Sequence, residues 1–270
     1  MLSEQRIREL AQALEEAERT RVPITQFSVQ HPDMTVDEAY AVQTAWRELK
    51  QAAGRRLAGR KIGLTSRTMQ KAQEVDEPDR GFFLDDMIFN DGAVIPLDRY
   101  IQPRVEVEII FVLERDLQGP GVTMRDVLAA TAWVQPGLEI LDARLQMRDP
   151  ATGKARTIVD AIADNAANAG MVIGGRPMRP DALDLRWECA MLYQNETIEE
   201  TGVAGAVLHH PAASVAWLAN SLAPYGEKLE AGMPILSGSF TRPVFVNDGD
   251  VFHAEYRTLG TVSCRFVRSS

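Results

Sequence analysis

Apolar residues recur at helical spacing in the first quarter of the chain. Over residues 3–20 they fall every three or four positions, which indicates an amphipathic helix, at Ile7, Leu10, Ala11, Leu14 and Ala17. A second helix is predicted to open at Thr35, because Glu38 three residues later completes a capping box. Gly54 is predicted to end it. Neither helix carries an evident chemical motif, so residues 1–56 are predicted to form a small helical N-terminal subdomain.

From about residue 57 the pattern changes to short apolar runs separated by glycine and proline, which favours strands. The predicted strands include GRKIG, RVEVEIIFVL, LEILDA, MPILSGSF, VFHAEY and TVSCRF, with a hairpin that turns near Asn195. Two helices are predicted among them, at residues 124–132 after a Thr123 cap and at residues 213–222. Strands outnumber helices without regular βαβ alternation. This indicates an α+β fold with a mixed, curved sheet at the core of residues 57–270.

The strand RVEVEIIFVL carries two glutamates in an apolar run. Side chains at i and i+2 of a strand share a face, so Glu106 and Glu108 would stand together with Ile110, roughly 6.5–7 Å apart along the strand. Val105 and Val107 would line the other face. Two interpretations stay open at this point: a solvated acidic face, or a carboxylate pair in a cleft that holds a hard divalent cation.

A third carboxylate, Glu139, favours the interpretation that these glutamates bind a divalent cation. Glu139 lies between Leu138 and Ile140, and an ionised carboxylate among such neighbours is costly to bury unless it is paired or bound to a metal. Three oxygen donors with open positions for water and substrate suit Mg²⁺ or Mn²⁺. Lys61, in GRKIGLTS, is either a strand-end lysine that reaches solvent or a lysine near the cation. In the second case its pKa is lowered so that it can transfer protons.

Composition narrows the classes of function. The 270 residues are 45% hydrophobic and 25% charged, as in an ordinary globular protein. The net charge of −9 argues against a general nucleic-acid binder, which needs a basic face. There is no run of 18 apolar residues and no secretory signal, so no membrane span is expected and the protein is expected to be cytoplasmic. Cys189 and Cys264 lie in no CxxC pattern and are expected to be buried free thiols.

Six segments of the chain, taken together, resemble a known family. They are GRKIGLTS, EPDRGFFLDDM, PRVEVEIIFVL, PGLEILDAR, DNAANAG and SGSFTRPV. In this order they are similar to the hydratase/decarboxylase branch of the fumarylacetoacetate hydrolase superfamily, and the resemblance extends over nearly the whole chain. It implies that residues 57–270 form a fumarylacetoacetate hydrolase-like catalytic domain and that the protein assembles into a homo-oligomer.

The resemblance also implies roles for individual residues. Glu106, Glu108 and Glu139 match the family's metal ligands, with Mg²⁺ as the expected ion and Mn²⁺ as the alternative. Lys61 matches its active-site lysine. Asp79 matches a position on a loop that closes over the site, where a solvated loop aspartate is the alternative. The Glu–His pair by which hydrolase members activate water has no counterpart here, which argues against C–C bond hydrolysis.

The implied activity is addition of water to an unsaturated 2-oxo or 2-hydroxy diacid in aromatic meta-cleavage catabolism. The candidate substrate contacts are Arg80, Asp164, Asn165 and Ser239. Arg80, Arg144 and Arg156 are unranked candidates for binding the distal carboxylate, and residues 146–156 form either a lid or a simple turn. Three alternatives stay open: decarboxylation of a six-carbon diacid, hydration of 2-hydroxypenta-2,4-dienoate, and a metal-binding partner subunit without catalysis.

Overall fold

The computed structural model describes residues 1–72 and 74–269, and within them seven α-helices and thirteen strands. The helices are α1 (Glu4–Thr20), α2 (Phe27–Gln30), α3 (Val36–Ala52), α4 (Arg67–Ala72), α5 (Met124–Ala130), α6 (Ile158–Ala163) and α7 (Pro211–Leu222). The strands are β1 (Leu57–Gly63), β2 (Asp79–Leu84), β3 (Ile88–Asn90), β4 (Ala93–Pro96), β5 (Arg104–Leu113), β6 (Thr131–Leu141), β7 (Asn168–Ile173), β8 (Cys189–Gln194), β9 (Thr197–Val203), β10 (Pro234–Ser239), β11 (Val244–Phe245), β12 (Val251–Tyr256) and β13 (Gly260–Val267).

Side-chain caps begin both long N-terminal helices. Ser3 accepts a hydrogen bond from the Arg6 amide at the start of α1, and Thr35 and Glu38 form the predicted capping box of α3. Both helices share one hydrophobic cluster with later parts of the chain, formed by residues that include Leu14, Trp46, Leu145 and Ile162. The helical segment therefore packs against α6 and the chain that follows β6. The division of the chain after residue 56 stays a prediction.

Two sheets form the remainder of the protein. The larger has the order β2-β1-β10-β5-β6-β7-β3, with β11 added beside β5, and the smaller has the order β4-β13-β12-β8-β9. Each sheet mixes directions: β1 runs parallel to β10 and β4 parallel to β13, whereas β5 runs antiparallel to β6. The predicted α+β fold with a mixed sheet is confirmed.

The two faces of β5 have different environments, as its alternating pattern predicts. Val105, Val107 and Ile109 are fully buried in the main hydrophobic core. On the other face, Ile110 belongs to a smaller cluster with Phe83, Val112, Met171 and Leu236. Since side chains at i and i+2 share a face, Glu106 and Glu108 continue this second face beyond the small cluster. One face of the larger sheet thus carries both apolar and acidic groups.

Three predicted elements have other boundaries in the structure. The helix predicted over residues 124–132 ends at Ala130, because Thr131 already begins β6. The strand predicted as LEILDA is much longer, since β6 pairs with β5 along almost its whole length, Pro136 included. The helix near residue 213 begins at Pro211, where the His210 side chain caps it.

The cysteine prediction is confirmed in part. Both thiols are free, but only Cys264 is buried, whereas Cys189 is half-buried. Among the residues that the structure describes, no helix is long and apolar enough to cross a membrane.

Candidate active site

Three carboxylates meet on the acidic face of the larger sheet. The register of β5 and β6 places Glu106 directly opposite Glu139, with Glu108 two residues along β5 on the same face. One oxygen from each of the three side chains lies within 4.8 Å of the other two. Glu108 and Glu139 are each only 1% exposed. We call these three residues the acidic triad.

The electrostatics of the acidic triad favour a bound cation. Burial, reinforced by Glu139, raises the pKa of Glu106 to about 8. Burial also raises the pKa of Glu108, with Glu139 adding to the effect, and that of Glu139, where Lys61 opposes it. The positive charges of Lys61 and Arg104 do not offset this effect at Glu106, so the triad is not fully ionised at neutral pH unless a further cation is bound. A cluster made only of buried carboxylate oxygens fits a hard divalent cation.

Glu108 is oriented by a backbone amide. Gly238, in β10, donates its N–H to Glu108 Oε2 at 2.6 Å. Gly238 has a φ of +114°, and a Cβ there would lie 2.5 Å from Thr65. A side chain at position 238 would thus conflict with both the backbone conformation and Thr65. The Tyr256 hydroxyl lies between the carbonyl oxygens of Glu108 and Gly137 and supports the same pair of strands from the other sheet.

Lys61 lies beside the acidic triad and is 3% exposed. Its Nζ donates to the carbonyl of Ala166 at 2.7 Å and lies 3.3 Å from Glu139 Oε1. That second contact is an ion pair without hydrogen-bond geometry, since Glu139 Oε1 has no hydrogen-bond partner among the described residues. The interpretation of Lys61 as a strand-end lysine that reaches solvent was wrong.

The direction of the Lys61 pKa shift also differs from the sequence prediction. Burial lowers the pKa of Lys61, but Glu139, Asp79, Glu108 and Glu106 together outweigh it, and the net shift is upward. The protein's own charges therefore keep Lys61 protonated. A lowered pKa was predicted because the sequence did not reveal that four carboxylates surround this one amine.

A left-handed turn supplies the carbonyl that holds Lys61. Asn165, Ala166 and Ala167 have φ values of 54°, 52° and 60°, so three successive non-glycine residues adopt a conformation that costs most residues about 1–2 kcal/mol. The amides of Asn165 and Asn168 compensate by bonding to the backbone of Phe82 in β2, at 2.7 to 3.0 Å. These side chains link the edge strand β2 to β7, so the larger sheet curls around the site.

Asp79 was predicted to lie on a loop, but it is the first residue of β2 and is buried. The alternative of a solvated loop aspartate was wrong. Its Oδ1 has no hydrogen-bond partner among the described residues. Burial raises the pKa of Asp79, and the charges of Lys61 and Arg156 oppose that effect. The structure thus brings Asp79, Lys61 and the acidic triad into one electrostatic cluster.

Three of the residues predicted to bind substrate form hydrogen bonds with other groups of the protein. Asp164 accepts a hydrogen bond from Arg144 Nε at 2.5 Å and others from the Arg144 and Leu145 amides. Asn165 is bonded to Phe82, and the Ser239 hydroxyl donates to the Thr241 carbonyl at 3.0 Å. These polar groups are engaged within the protein, which gives them positioning roles. Direct substrate contact by them stays a prediction.

Arg80 lies on the opposite face of β2 from Asp79. Its register partner is Ile62, a main-core residue, and its guanidinium stacks on Tyr40 at 3.8 Å and on Tyr225 at 4.8 Å from the ring centroids. Because neighbouring residues of a strand point to opposite faces, the Arg80 side chain points away from the face that carries Lys61. The structure does not bring Arg80 together with the acidic triad.

A curled mixed sheet that carries a buried triad of carboxylates beside a buried lysine defines a metal-dependent enzyme site. The sequence profile described as "Fumarylacetoacetate (FAA) hydrolase C-terminal" matches residues 40–267. The chain belongs to the fumarylacetoacetate hydrolase family.

Named relatives are similar over their full lengths. The chain is 55% identical to a "2-oxo-hept-4-ene-1,7-dioate hydratase" of Escherichia coli over 258 residues, covering 96% of this chain and 97% of that one. It is 41% identical to a "2-hydroxyhexa-2,4-dienoate hydratase" of Comamonas testosteroni, covering 99% and 100%. Among solved structures, "4-oxalocrotonate decarboxylase from Pseudomonas putida G7 - complexed with magnesium and adipate" aligns with a TM-score of 0.93 at 36% identity, covering 99% of both chains.

Proposed function

We propose that the protein is a hydro-lyase that adds water to 2-oxohept-4-ene-1,7-dioate or its 2-hydroxydienoate tautomer. The product is 4-hydroxy-2-oxoheptane-1,7-dioate, an intermediate of aromatic meta-cleavage catabolism in the homoprotocatechuate branch. The observation that carries this conclusion is 55% identity to the Escherichia coli hydratase over 96% of the chain. The buried acidic triad with Lys61 beside it supplies the chemistry that such a reaction needs.

Glu106, Glu108 and Glu139 would hold the divalent cation. Mg²⁺ is supported by their oxygen-only donor set and by the magnesium complex of the related decarboxylase, and Mn²⁺ has similar ligand preferences. When bound, the cation supplies Lewis-acid stabilisation of negative charge on the substrate's C2 oxygen.

Lys61 transfers the proton that converts the dienol form of the substrate to the ketone. Its Nζ is held by the Ala166 carbonyl and remains protonated because of the surrounding carboxylates, so it can give a proton to the substrate as the dienol becomes the ketone. Asp79 favours the charged form of Lys61, and it would accept the proton that leaves the substrate's 2-hydroxyl group and return it to Lys61. The fixed positions of these groups direct the proton to one substrate carbon.

A second candidate function is decarboxylation of 4-oxalocrotonate. The TM-score of 0.93 to a solved decarboxylase favours it, since the two activities share a scaffold on which one enolate-like intermediate can form. The 36% identity to that protein is well below the 55% to the hydratase, and hydration is therefore the function we favour.

Product analysis with two substrates distinguishes the activities. The purified protein with Mg²⁺ is given 2-hydroxyhepta-2,4-diene-1,7-dioate or 4-oxalocrotonate, and products are identified by mass. A gain of one water on the seven-carbon diacid supports hydration. Release of CO₂ from the six-carbon diacid, without turnover of the other, would assign the decarboxylase activity instead. Homo-oligomeric assembly, which light scattering would measure, and a cytoplasmic location remain predictions.

A further inference from the structure

The structure ranks the arginines that could bind the distal end of a diacid. Arg144 is already engaged within the protein, because its Nε bonds to the Asp164 carboxylate and its Nη2 to the carbonyls of Asp164 and Asn168. Arg80 stacks on two tyrosines on the opposite face of the sheet. Arg156, at the end of the loop of residues 146–156, differs from both in having a buried nitrogen, Nη1, with no hydrogen-bond partner among the described residues.

In the described part of the chain, Arg156 has one distant ion-pair partner and a hydrogen-bond donor that the protein does not use. Its side chain is 14% exposed, and its Nη1 has no hydrogen-bond partner among the described residues. The nearest carboxylate oxygen is Asp164 Oδ2 at 3.9 Å, which already accepts the amides of Arg144 and Leu145. A largely buried donor without an acceptor is costly, so this position favours an external anion.

A second guanidinium lies on the same side of the site. Arg104 is in β5 two residues before Glu106, so it shares that residue's face, roughly 6.5–7 Å further along the strand. Burial lowers the pKa of Arg156, the charge of Arg104 lowers it further, and the charges of Arg156 and Asp79 act on each other. No salt bridge within 4.0 Å involves Arg104 in the part of the chain that the structure describes. Two neighbouring guanidinium groups repel each other unless an anion lies between them.

The spacing fits the length of the substrate. The terminal carbons of a seven-carbon diacid are six bonds apart, which is about 7 Å when extended, given an advance of about 3.3–3.6 Å for three backbone bonds. This is close to the separation of Glu106 and Arg104 along β5. A substrate that lies along β5 with one carboxylate at the cation held by the acidic triad would therefore place the other near position 104.

We propose that Arg156, assisted by Arg104, binds the distal carboxylate of the substrate and so makes the enzyme selective for diacids. The inference rests on the proposed function, because it assigns the distal subsite of the same reaction. Arg156 is a specificity-determining residue at the base of the loop, and Arg104 supplies the second cation. A substrate without a distal carboxylate gains nothing from either group.

The test compares a diacid with a monoacid in matched variants. Initial rates are measured for 2-hydroxyhepta-2,4-diene-1,7-dioate and for 2-hydroxypenta-2,4-dienoate with Mg²⁺, using wild type, Arg156→Met, Arg156→Lys and Lys154→Met. Lys154 is an exposed cation on the same loop, so its replacement controls for the change in net charge. Thermal melting verifies that each variant is folded.

Arg156→Met is expected to lower kcat/KM for the diacid by about 10- to 150-fold, mainly through KM, which is what loss of a hydrogen bond to a charged group costs. For the monoacid, kcat/KM of Arg156→Met should stay within about twofold of the wild-type value. Such a change is smaller than the loss of one neutral hydrogen bond produces. Arg156→Lys should recover part of the diacid activity, and Lys154→Met should behave as wild type.

Binding of saturated ligands gives a second readout without turnover. In calorimetry with Mg²⁺, wild type should bind pimelate more tightly than hexanoate, and Arg156→Met should remove that preference. An equal loss for both substrates, or an unchanged diacid preference in Arg156→Met, would overturn the inference. Failure of wild type to hydrate the diacid would instead overturn the proposed function, so the two failures are distinguishable.

Discussion

Glu106 and Glu139 are direct cross-strand partners in the antiparallel pairing of β5 and β6. Like charges in this relationship destabilise a sheet, and here burial raises the pKa of both groups. Strand pairing therefore places two repelling carboxylates together in an apolar setting, with Glu108 as the third. The arrangement is favourable when a divalent cation is bound between them, so the binding of metal and the stability of the fold are coupled.

Metal binding should raise the melting temperature. At a Mg²⁺ concentration 100 times its Kd, the wild-type protein should gain about 2.7 kcal/mol of stability, because the cation binds only the folded triad. Glu106→Gln should lose most of this gain, since the amide supplies a neutral and weaker oxygen ligand. Calorimetric melts with EDTA and with Mg²⁺ measure the difference.

The matched control for this metal experiment is Glu199→Gln, which changes an exposed glutamate on β9. Its Mg²⁺-dependent shift in melting temperature should equal that of wild type. An undiminished shift in Glu106→Gln would show that the cation binds elsewhere.

Replacement of Lys61 should separate catalysis from metal binding. Lys61→Met removes the amine that lies 3.3 Å from Glu139 Oε1, and kcat should fall by about 10²- to 10⁴-fold, the range typical of a lost general acid. The stabilisation by Mg²⁺ should persist, because the triad is intact. Lys228→Met, at an exposed ion pair with Asp116, is the control. Unchanged kcat in Lys61→Met would remove Lys61 from the mechanism.

Much of the site is predictable from local sequence, because the side chains of a strand alternate between its two faces. Alternation in RVEVEIIFVL is sufficient to place Glu106 and Glu108 on one face, and the core positions of Val105 and Val107 confirm it. The pairing of Glu139 with Glu106 depends on the register between two strands, which local patterns do not encode. The apolar surroundings of Glu139 were the only sequence signal for it.

Other parts of the site were not predictable because they depend on contacts between distant segments. The left-handed turn at residues 165–167 contains no glycine, the residue that most often marks such a turn in a sequence. Arg104 was missed although it lies two residues before Glu106 on the same face, and alternation was a signal that could have identified it. Away from the site, the dependence on distant contacts also holds for Glu227, which bonds to Arg47 and Arg60, 180 and 167 positions earlier in the chain.

The Asn165 amide should contribute to stability through Phe82. Asn165→Ala leaves the buried Phe82 N–H without its acceptor, which should lower the free energy of unfolding by about 1–3 kcal/mol. Urea denaturation gives the value. Asn90→Ala, at an exposed position at the end of β3, should change the free energy of unfolding by less than about 0.5 kcal/mol. Equal effects in the two variants would contradict a specific role for the Asn165 amide.

Glu227 should make the fold sensitive to acid. Burial acts to raise its pKa, but hydrogen bonds and charges from Arg47 and Arg60 outweigh it and lower the pKa to about 2. A lowered folded-state pKa means that its stabilisation is present above the unfolded value, near 4.3, and is lost as the pH falls toward 2. Because the side chain is 25% exposed, solvent screening reduces the contribution to about 1–2 kcal/mol.

Urea denaturation between pH 2 and pH 6 measures this acid sensitivity. Glu227→Gln should be less stable than wild type at pH 6 and should lose less stability as the pH falls. Glu230→Gln changes an exposed glutamate nearby and should follow the wild-type curve. Parallel curves for Glu227→Gln and wild type would show that this carboxylate does not contribute to the acid sensitivity.

The central claim is that the acidic triad and its cation perform hydration of a seven-carbon dienoate. The most direct measurement follows the ultraviolet loss of freshly generated 2-hydroxyhepta-2,4-diene-1,7-dioate and the product mass, with Mg²⁺, with EDTA, and with Glu106→Gln. We expect a product heavier by one water with Mg²⁺, its loss with EDTA, its return when Mg²⁺ is added back, and little product with Glu106→Gln. Hydration that persists in EDTA, or at the wild-type rate in Glu106→Gln, would contradict the account.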